Sequence, residues 1–228
     1  MKLFWMTGLL CVAVGAWGLG QAEDPQEVIS RTWTWDQIRT LTIAGEVQFT
    51  VQPGPQPRFI VATTRALFDQ LSVYNWWGWS GIVVESGLKG PREKGPVNVI
   101  VETPELGSLT IADQSTGTVR WPGAQGSMEV RERSTVTLEF HGKRLELTGS
   151  WLSTAVVNGE ADQVSVTLRH QSRIDAGGLT VRQAEVFADE ESVYRTSPVT
   201  SGKARLRHGS RIEGSEGSSW TVQEDPRD

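Results

Sequence analysis

The chain is almost without cysteine. Its one cysteine, Cys11, lies in the apolar N-terminal stretch, and no other follows. This excludes disulfides within the body of the protein, CxxC metal sites and a cysteine nucleophile. Histidine (3), tyrosine (2) and methionine (3) are also scarce, so few general bases or soft metal ligands are available. No Walker loop, GxSxG elbow or HExxH motif occurs. After the N-terminus no apolar run is long enough to span a bilayer. Neither sign of charge dominates, since 22 Lys+Arg against 27 Asp+Glu give −5. A mildly acidic chain is not suited to general nucleic-acid binding.

What is present begins with residues 1–22. Met1–Lys2 is a short positive region, Leu3 to Gly20 is apolar, and Gly20-Gln21-Ala22 is a small-x-small cleavage signal. This reads as a secretory signal peptide cut after Ala22. The alternative is an uncleaved membrane anchor. Cys11 follows Leu10, where a lipid-modified cysteine requires a small residue, so a lipoprotein is not expected. Removing 22 of 228 residues leaves 206, and losing Lys2 takes the charge to −6 (21 − 27). That length is ample for an apolar core without disulfides.

The body repeats. LRHQSRIDAG (Leu168–Gly177) returns as LRHGSRIEGS (Leu206–Ser215), 38 residues on, and 38 is twice 19. Steps of 19 give an apolar column Ile111, Val130, Gly149, Leu168, Phe187, Leu206. Four residues on, the column reads Ser115, Ser134, Ser153, Ser172, Glu191, Ser210. Two residues before the first, it reads Leu109, Met128, Leu147, Val166, Glu185, Ala204. Within a unit, apolar and polar residues alternate with period two, which means strands, and Asp/Gln/Gly/Ser clusters mark turns. Short strands recurring every 19 residues suit an all-β, parallel β-solenoid (β-helix) of about six coils. A right-handed sense is the default for crossover-linked parallel strands. Residues 19 apart then stack, the apolar columns fill the interior, and the serines line a corner.

Before Pro104 the rhythm differs. Strand-like stretches fall at Gln37–Ile43, Glu46–Val51, Arg58–Ala62, Leu71–Tyr74, Gly81–Glu85 and Val97–Glu102, and Ala44-Gly45 suggests a hairpin. The organisation expected is a signal peptide (1–22) and one solenoid domain (23–214). Residues 23–103 serve as N-terminal cap and first strands, 104–214 as regular coils, and 215–228 as a polar tail.

Several stretches resemble a known family. WDQIRTLTIAGEVQFTVQPG has an aromatic residue, an isoleucine strand, a small turn and a valine strand. FIVATTRALFDQLSVYN, ETPELGSLTIAD and the serine-centred coils from Ser115 to Ser210 continue the pattern. Together they resemble the putative auto-transporter adhesin, head GIN domain family, over about Thr34 to Gly214. Arg/Glu/His-rich corners partly replace that family's Gly-Ser turns. The resemblance implies an exported bacterial β-solenoid, in the periplasm or at the cell surface, and carries over no catalytic residue.

Two features are candidates for chemistry. In YNWWGWSG, Tyr74, Trp76, Trp77 and Trp79 offer either an aromatic platform for a glycan or protein, or a plug for the solenoid end. Trp33 and Trp35 could complete either arrangement. The corner column Asp113, Glu132, Trp151, His170, Asp189, His208 contains a His170–Asp189–His208 ladder. It could ligate a metal, but an outward ladder of alternating charge is the plainer reading. Arg169, Arg207, Arg173 and Arg211 likewise suit a solvated ladder, with a small basic patch for an anionic glycan as the alternative. No metal and no cofactor is expected. The expected function is a non-enzymatic envelope binding module. Its rivals are a carbohydrate-active enzyme on a solenoid face and a purely structural or assembly protein.

Overall fold

The computed structural model describes residues 27–76, 79–84, 95–214 and 216–225. The expected signal peptide, residues 1–22, lies outside the described residues. The elements in chain order are β1 (Val28–Thr34), β2 (Thr40–Ala44), β3 (Val47–Pro53), β4 (Arg58–Thr64), α1 (Arg65–Phe68), β5 (Leu71–Trp76), β6 (Trp79–Val84) and β7 (Val97–Thr103). There follow β8 (Ser108–Ala112), β9 (Thr116–Arg120), β10 (Gln125–Val130), β11 (Thr135–Gly149), β12 (Thr154–Leu168) and β13 (Arg173–Ala188). The chain continues through β14 (Val193–Thr196), β15 (Val199–Leu206), β16 (Arg211–Glu213) and β17 (Trp220–Glu224).

These strands form a β-solenoid of about six turns. One face stacks β7, β3, β9, the first halves of β11, β12 and β13, then β14 and β16, all parallel. The other stacks β6, β2, β8, β10, the second halves of the same long strands, then β15 and β17. Inward side chains form continuous apolar columns, among them Leu41, Leu109, Met128, Leu147, Val166 and Val186.

The corner between the faces is a two-residue turn with positive φ at both positions: Asp113/Gln114, Glu132/Arg133, Trp151/Leu152, His170/Gln171 and Glu190/Glu191. A non-glycine residue there costs roughly 1–2 kcal/mol. Stacking compensates. The second turn residue donates its N–H to the carbonyl of the first in the next coil, as in Gln114→Glu132 (2.9 Å), Leu152→His170 (3.0 Å) and Glu191→His208 (2.8 Å). The serine after each turn is buried in Ser115, Ser134, Ser153, Ser172 and Ser192. In three of them the hydroxyl donates back across the turn, Ser115 to the Ala112 carbonyl (2.8 Å), Ser172 to that of Arg169 (2.9 Å) and Ser192 to that of Asp189 (2.7 Å).

The period is not a uniform 19. From β12 to β13 the register is Thr154↔Arg173, then Asn158↔Gly178, so one residue is inserted. From β13 to β15 the pairing is Val181↔Val199, two residues shorter than the preceding Arg173↔Val193 between β13 and β14. Steps of 20 and 18 together restore 38. The extra residue sits at Gly177-Gly178, where the absence of a Cβ on Gly178 leaves room for the Asn158 side-chain amide on the preceding coil. The columns are corrected accordingly. Ser192 replaces Glu191 in the serine ladder, Val186 replaces Glu185, and Ala188 replaces Phe187.

The N-terminal part departs from the expected hairpin. Ala44-Gly45 joins β2 and β3, which pair with different partners on the two faces. Gly45 (φ 98°) and Glu46 (φ 51°) instead make another solenoid corner. The tetrapeptide Leu41–Ala44 is identical to Leu109–Ala112, and the two stack residue on residue. Antiparallel strands close this end: β4 against β7, β1 against β4, and β5 against β6. Trp33 and Trp35 pack on Phe59, and Trp33 stacks on Phe68, so both belong to this cap. Within the stretch expected as a polar tail, β17 forms and pairs in register with β15.

The corrected register makes a prediction. Ser192→Ala should lower unfolding free energy by about 1 kcal/mol through the lost corner hydrogen bond, while Glu191→Ala should stay within about 0.5 kcal/mol. Urea denaturation distinguishes them, and a uniform period of 19 demands the reverse order. Leu152→Gly, at φ 61° and 47% exposed, should stabilise by about 0.5 kcal/mol, strain relief exceeding the added unfolded-state entropy.

Candidate functional site

Strands β5 and β6 form an antiparallel hairpin in which Trp76 lies opposite Trp79 and Tyr74 opposite Gly81. Period-two alternation sorts its side chains. Asn75, Ser80 and Ile82 face inward, with Ile82 and Ser80 buried. Asn75 Nδ2 fixes this underside by donating to the Gln37 carbonyl (3.0 Å) and to Ser80 Oγ (2.8 Å). Tyr74, Trp76 and Trp79 therefore share the outer face, at 40%, 74% and 67% exposure. The Tyr74 ring lies over Gly81, where an added Cβ would come within 2.7 Å of its Cζ. The hairpin continues one face of the solenoid past β2 and turns its other side to the core, so these three aromatics do not plug the end. Trp77 lies outside the described residues.

From the two tryptophans the outer face runs along successive rungs. Trp79 neighbours Thr40, Thr40 neighbours Ser108, and Ser108 neighbours Ser127. Ser108 Oγ donates to Thr40 Oγ1 (3.1 Å). Beyond Ser127 an open pocket of about 550 Å³ is lined by Gln125, Ser127, Arg144 and Glu146. Its charged groups are Arg144, 2.9 Å from Glu146, and a second carboxylate, Glu105.

The second candidate is divided by the register change. His208 Nδ1 lies 2.5 Å from Asp189 Oδ1, and this hydrogen bond holds the Asp189 carboxyl below its ordinary range. His170 pairs instead with Glu190 (3.1 Å), which takes the corner position expected of Asp189. Its ring also stacks on Trp151, with centroids 3.9 Å apart and planes 6° apart. The three residues thus form two separate pairs. Among the described residues no group of three or more His, Cys, Asp or Glu side chains is placed to hold a metal ion.

The arginines are likewise engaged. Arg173 and Arg211 share Glu213, at 3.5 and 2.9 Å, and Arg195 pairs with Asp175 (3.3 Å). Arg169 and Arg207 both lie over the Phe187 ring, at 5.9 and 5.8 Å, and Arg207 also meets Asp225 (3.2 Å). This is a ladder of alternating charge rather than a free basic patch. The rung continuity from Trp79 to Ser127 emerges from the strand pairing. The repeated LTIA was the signal for it, because it places Thr40 beside Ser108.

One carboxyl pair at the corner sets a pH dependence. The hydrogen bond with Asp113 on the adjacent coil raises the Glu132 carboxyl above its ordinary range. The folded protein thus takes up this proton before the unfolded chain does, and stability falls as pH rises from the unfolded to the folded value. Glu132→Gln should raise Tm at about pH 7, by on the order of 1 °C for so exposed a group, and should have no effect near pH 3. Thermal melts at the two pH values check this.

Comparison with known proteins agrees with this architecture. A crystal structure described as a putative adhesin from Bacteroides fragilis is similar over 87% of this chain and 94% of that one, with TM-score 0.69 and 11% identity. Another, from Parabacteroides merdae, covers 87% and 96%, with TM-score 0.57 and 13% identity. A putative lipid binding protein from Parabacteroides distasonis covers the same shares, with TM-score 0.53 and 17% identity. No curated protein matches the sequence. No helix among the described residues is long and apolar enough to cross a membrane. The family model of the putative auto-transporter adhesin, head GIN domain, matches residues 38–216, and the chain belongs to that family.

Proposed function

We propose that this chain is an exported, non-enzymatic binding module of the bacterial envelope, making adhesin-like contacts through the outer face of the β5–β6 hairpin. The observation carrying this reading is the exposure of Tyr74, Trp76 and Trp79 together on one face of a hairpin whose other face is pinned by hydrogen bonds. Large rigid aromatics left in water on a fixed strand pair lose little entropy on binding and bury much area. Family membership supports the adhesive reading, and the small-x-small signal at Gly20-Gln21-Ala22 supports export. The engagement of the corner histidines and acids in local pairs supports a binding rather than a catalytic role.

Purified protein retained on isolated bacterial envelopes tests this. Trp76→Ala combined with Trp79→Ala should cut retention by about thirtyfold, the scale of a tryptophan hot spot, while far-UV circular dichroism stays unchanged. Undiminished retention would contradict the reading. Turnover of an envelope polysaccharide, abolished by one carboxylate substitution, would favour the enzyme instead.

A further inference from the structure

We infer that the ligand of this face is a neutral, extended oligosaccharide. It would lie along the rungs from the Trp76/Trp79 pair, across Thr40 and Ser108, to the pocket at Ser127 and Arg144–Glu146. The inference rests on the hairpin being the contact surface and adds the chemistry of what it contacts.

Three features of the track select that ligand. First, the floor is low and hydroxylated. Thr40, Ser108 and Ser127 are half-buried short side chains in one row, between two exposed indoles and a longer Arg–Glu pair. Such a floor accommodates a flat chain and offers it donors and acceptors at each rung. Second, the row is straight and evenly spaced, because in-register parallel stacking fixes it. Three rungs from Trp79 to Ser127 span about 14 Å, so the site is longer than one sugar ring and suits several in sequence. Third, the charge does not favour an anion, since Glu105 adds a second carboxylate to the pocket wall. Arg144 is matched by Glu146, and Arg131 by Glu129 at 2.5 Å on the adjoining outward row. Two carboxylates against one guanidinium in the pocket disfavour an anionic chain, while a carboxylate beside a guanidinium can receive and give hydrogen bonds to vicinal hydroxyls. The indoles supply faces for the apolar side of a sugar ring. A peptide strand would instead seek unpaired backbone groups, but β2, β8 and β10 already pair on both sides.

Isothermal titration of the protein with chitohexaose, cellohexaose and mannohexaose, together with the corresponding disaccharides, tests the inference. At least one hexaose should bind at least roughly tenfold more tightly than its disaccharide, with little change between low and physiological salt. Ser108→Phe, which fills the floor without touching the indoles, should weaken that binding about tenfold or more, and so should Trp76→Ala. An unchanged far-UV circular dichroism spectrum and urea midpoint for Ser108→Phe control for folding. Failure of all three hexaoses to bind would overturn the inference, as would equal affinity for disaccharide and hexaose or indifference to Ser108→Phe. These failures differ from failure of the hairpin reading. If envelope retention still depends on Trp76 and Trp79 while no hexaose binds, the contact surface stands and the oligosaccharide is rejected.

Discussion

The peptide ladder at the solenoid corner is the constraint from which the rest follows. Each turn places two residues at positive φ, a conformation unfavourable to the Glu, Arg, Trp, Leu and His found there. No single turn of this composition would persist alone. It persists because its N–H reaches the carbonyl of the next coil and because a buried serine closes it from within. The ladder therefore locks register. A slip of one residue would turn every inward column outward and expel the serines from their corner.

Once register is locked, the outward positions are freed from the fold. Side chains there need only avoid like charges on adjacent rungs, and the ladder Asp175, Arg195, Glu213 meets that requirement with matched pairs. The same freedom permits aromatics at one end without cost to the core. The antiparallel strands β1, β4 and β5 end the stack on that side, where an unpaired parallel edge would otherwise invite association. Capping and exposure are thus two sides of one hairpin. Asn75, Ser80 and Ile82 attach it to the solenoid, and Tyr74, Trp76 and Trp79 remain in water.

Most of the architecture is legible in the sequence, because in-register stacking writes the same requirement every 19 residues. The serine column and the apolar columns identify the coil, the corner and the interior. The one-residue insertion was hidden because a compensating shortening restores the spacing of 38 between the two LRHxSRI segments. Its trace is that Glu185 and Glu191 break two columns within a single coil, while Val186 and Ser192 stand one position away. At the first corner Ala44-Gly45 satisfies hairpin chemistry locally, so its sequence suggests a hairpin. Only the pairing of Leu41–Ala44 with Leu109–Ala112, far apart in sequence, reveals the corner. The face taken by the hairpin tryptophans depends on which side of β6 meets β2, a tertiary fact with no local signature.

The functional account depends on that face. Trp151 provides an internal reference, being also exposed, at 56%, but at the corner and stacked on His170. Hydroxyl-radical footprinting of the protein, free and bound to envelopes, compares the three tryptophans in one experiment. The account predicts that Trp76 and Trp79 lose reactivity on binding while Trp151 keeps it. Protection of Trp151 with Trp76 and Trp79 unchanged would contradict it.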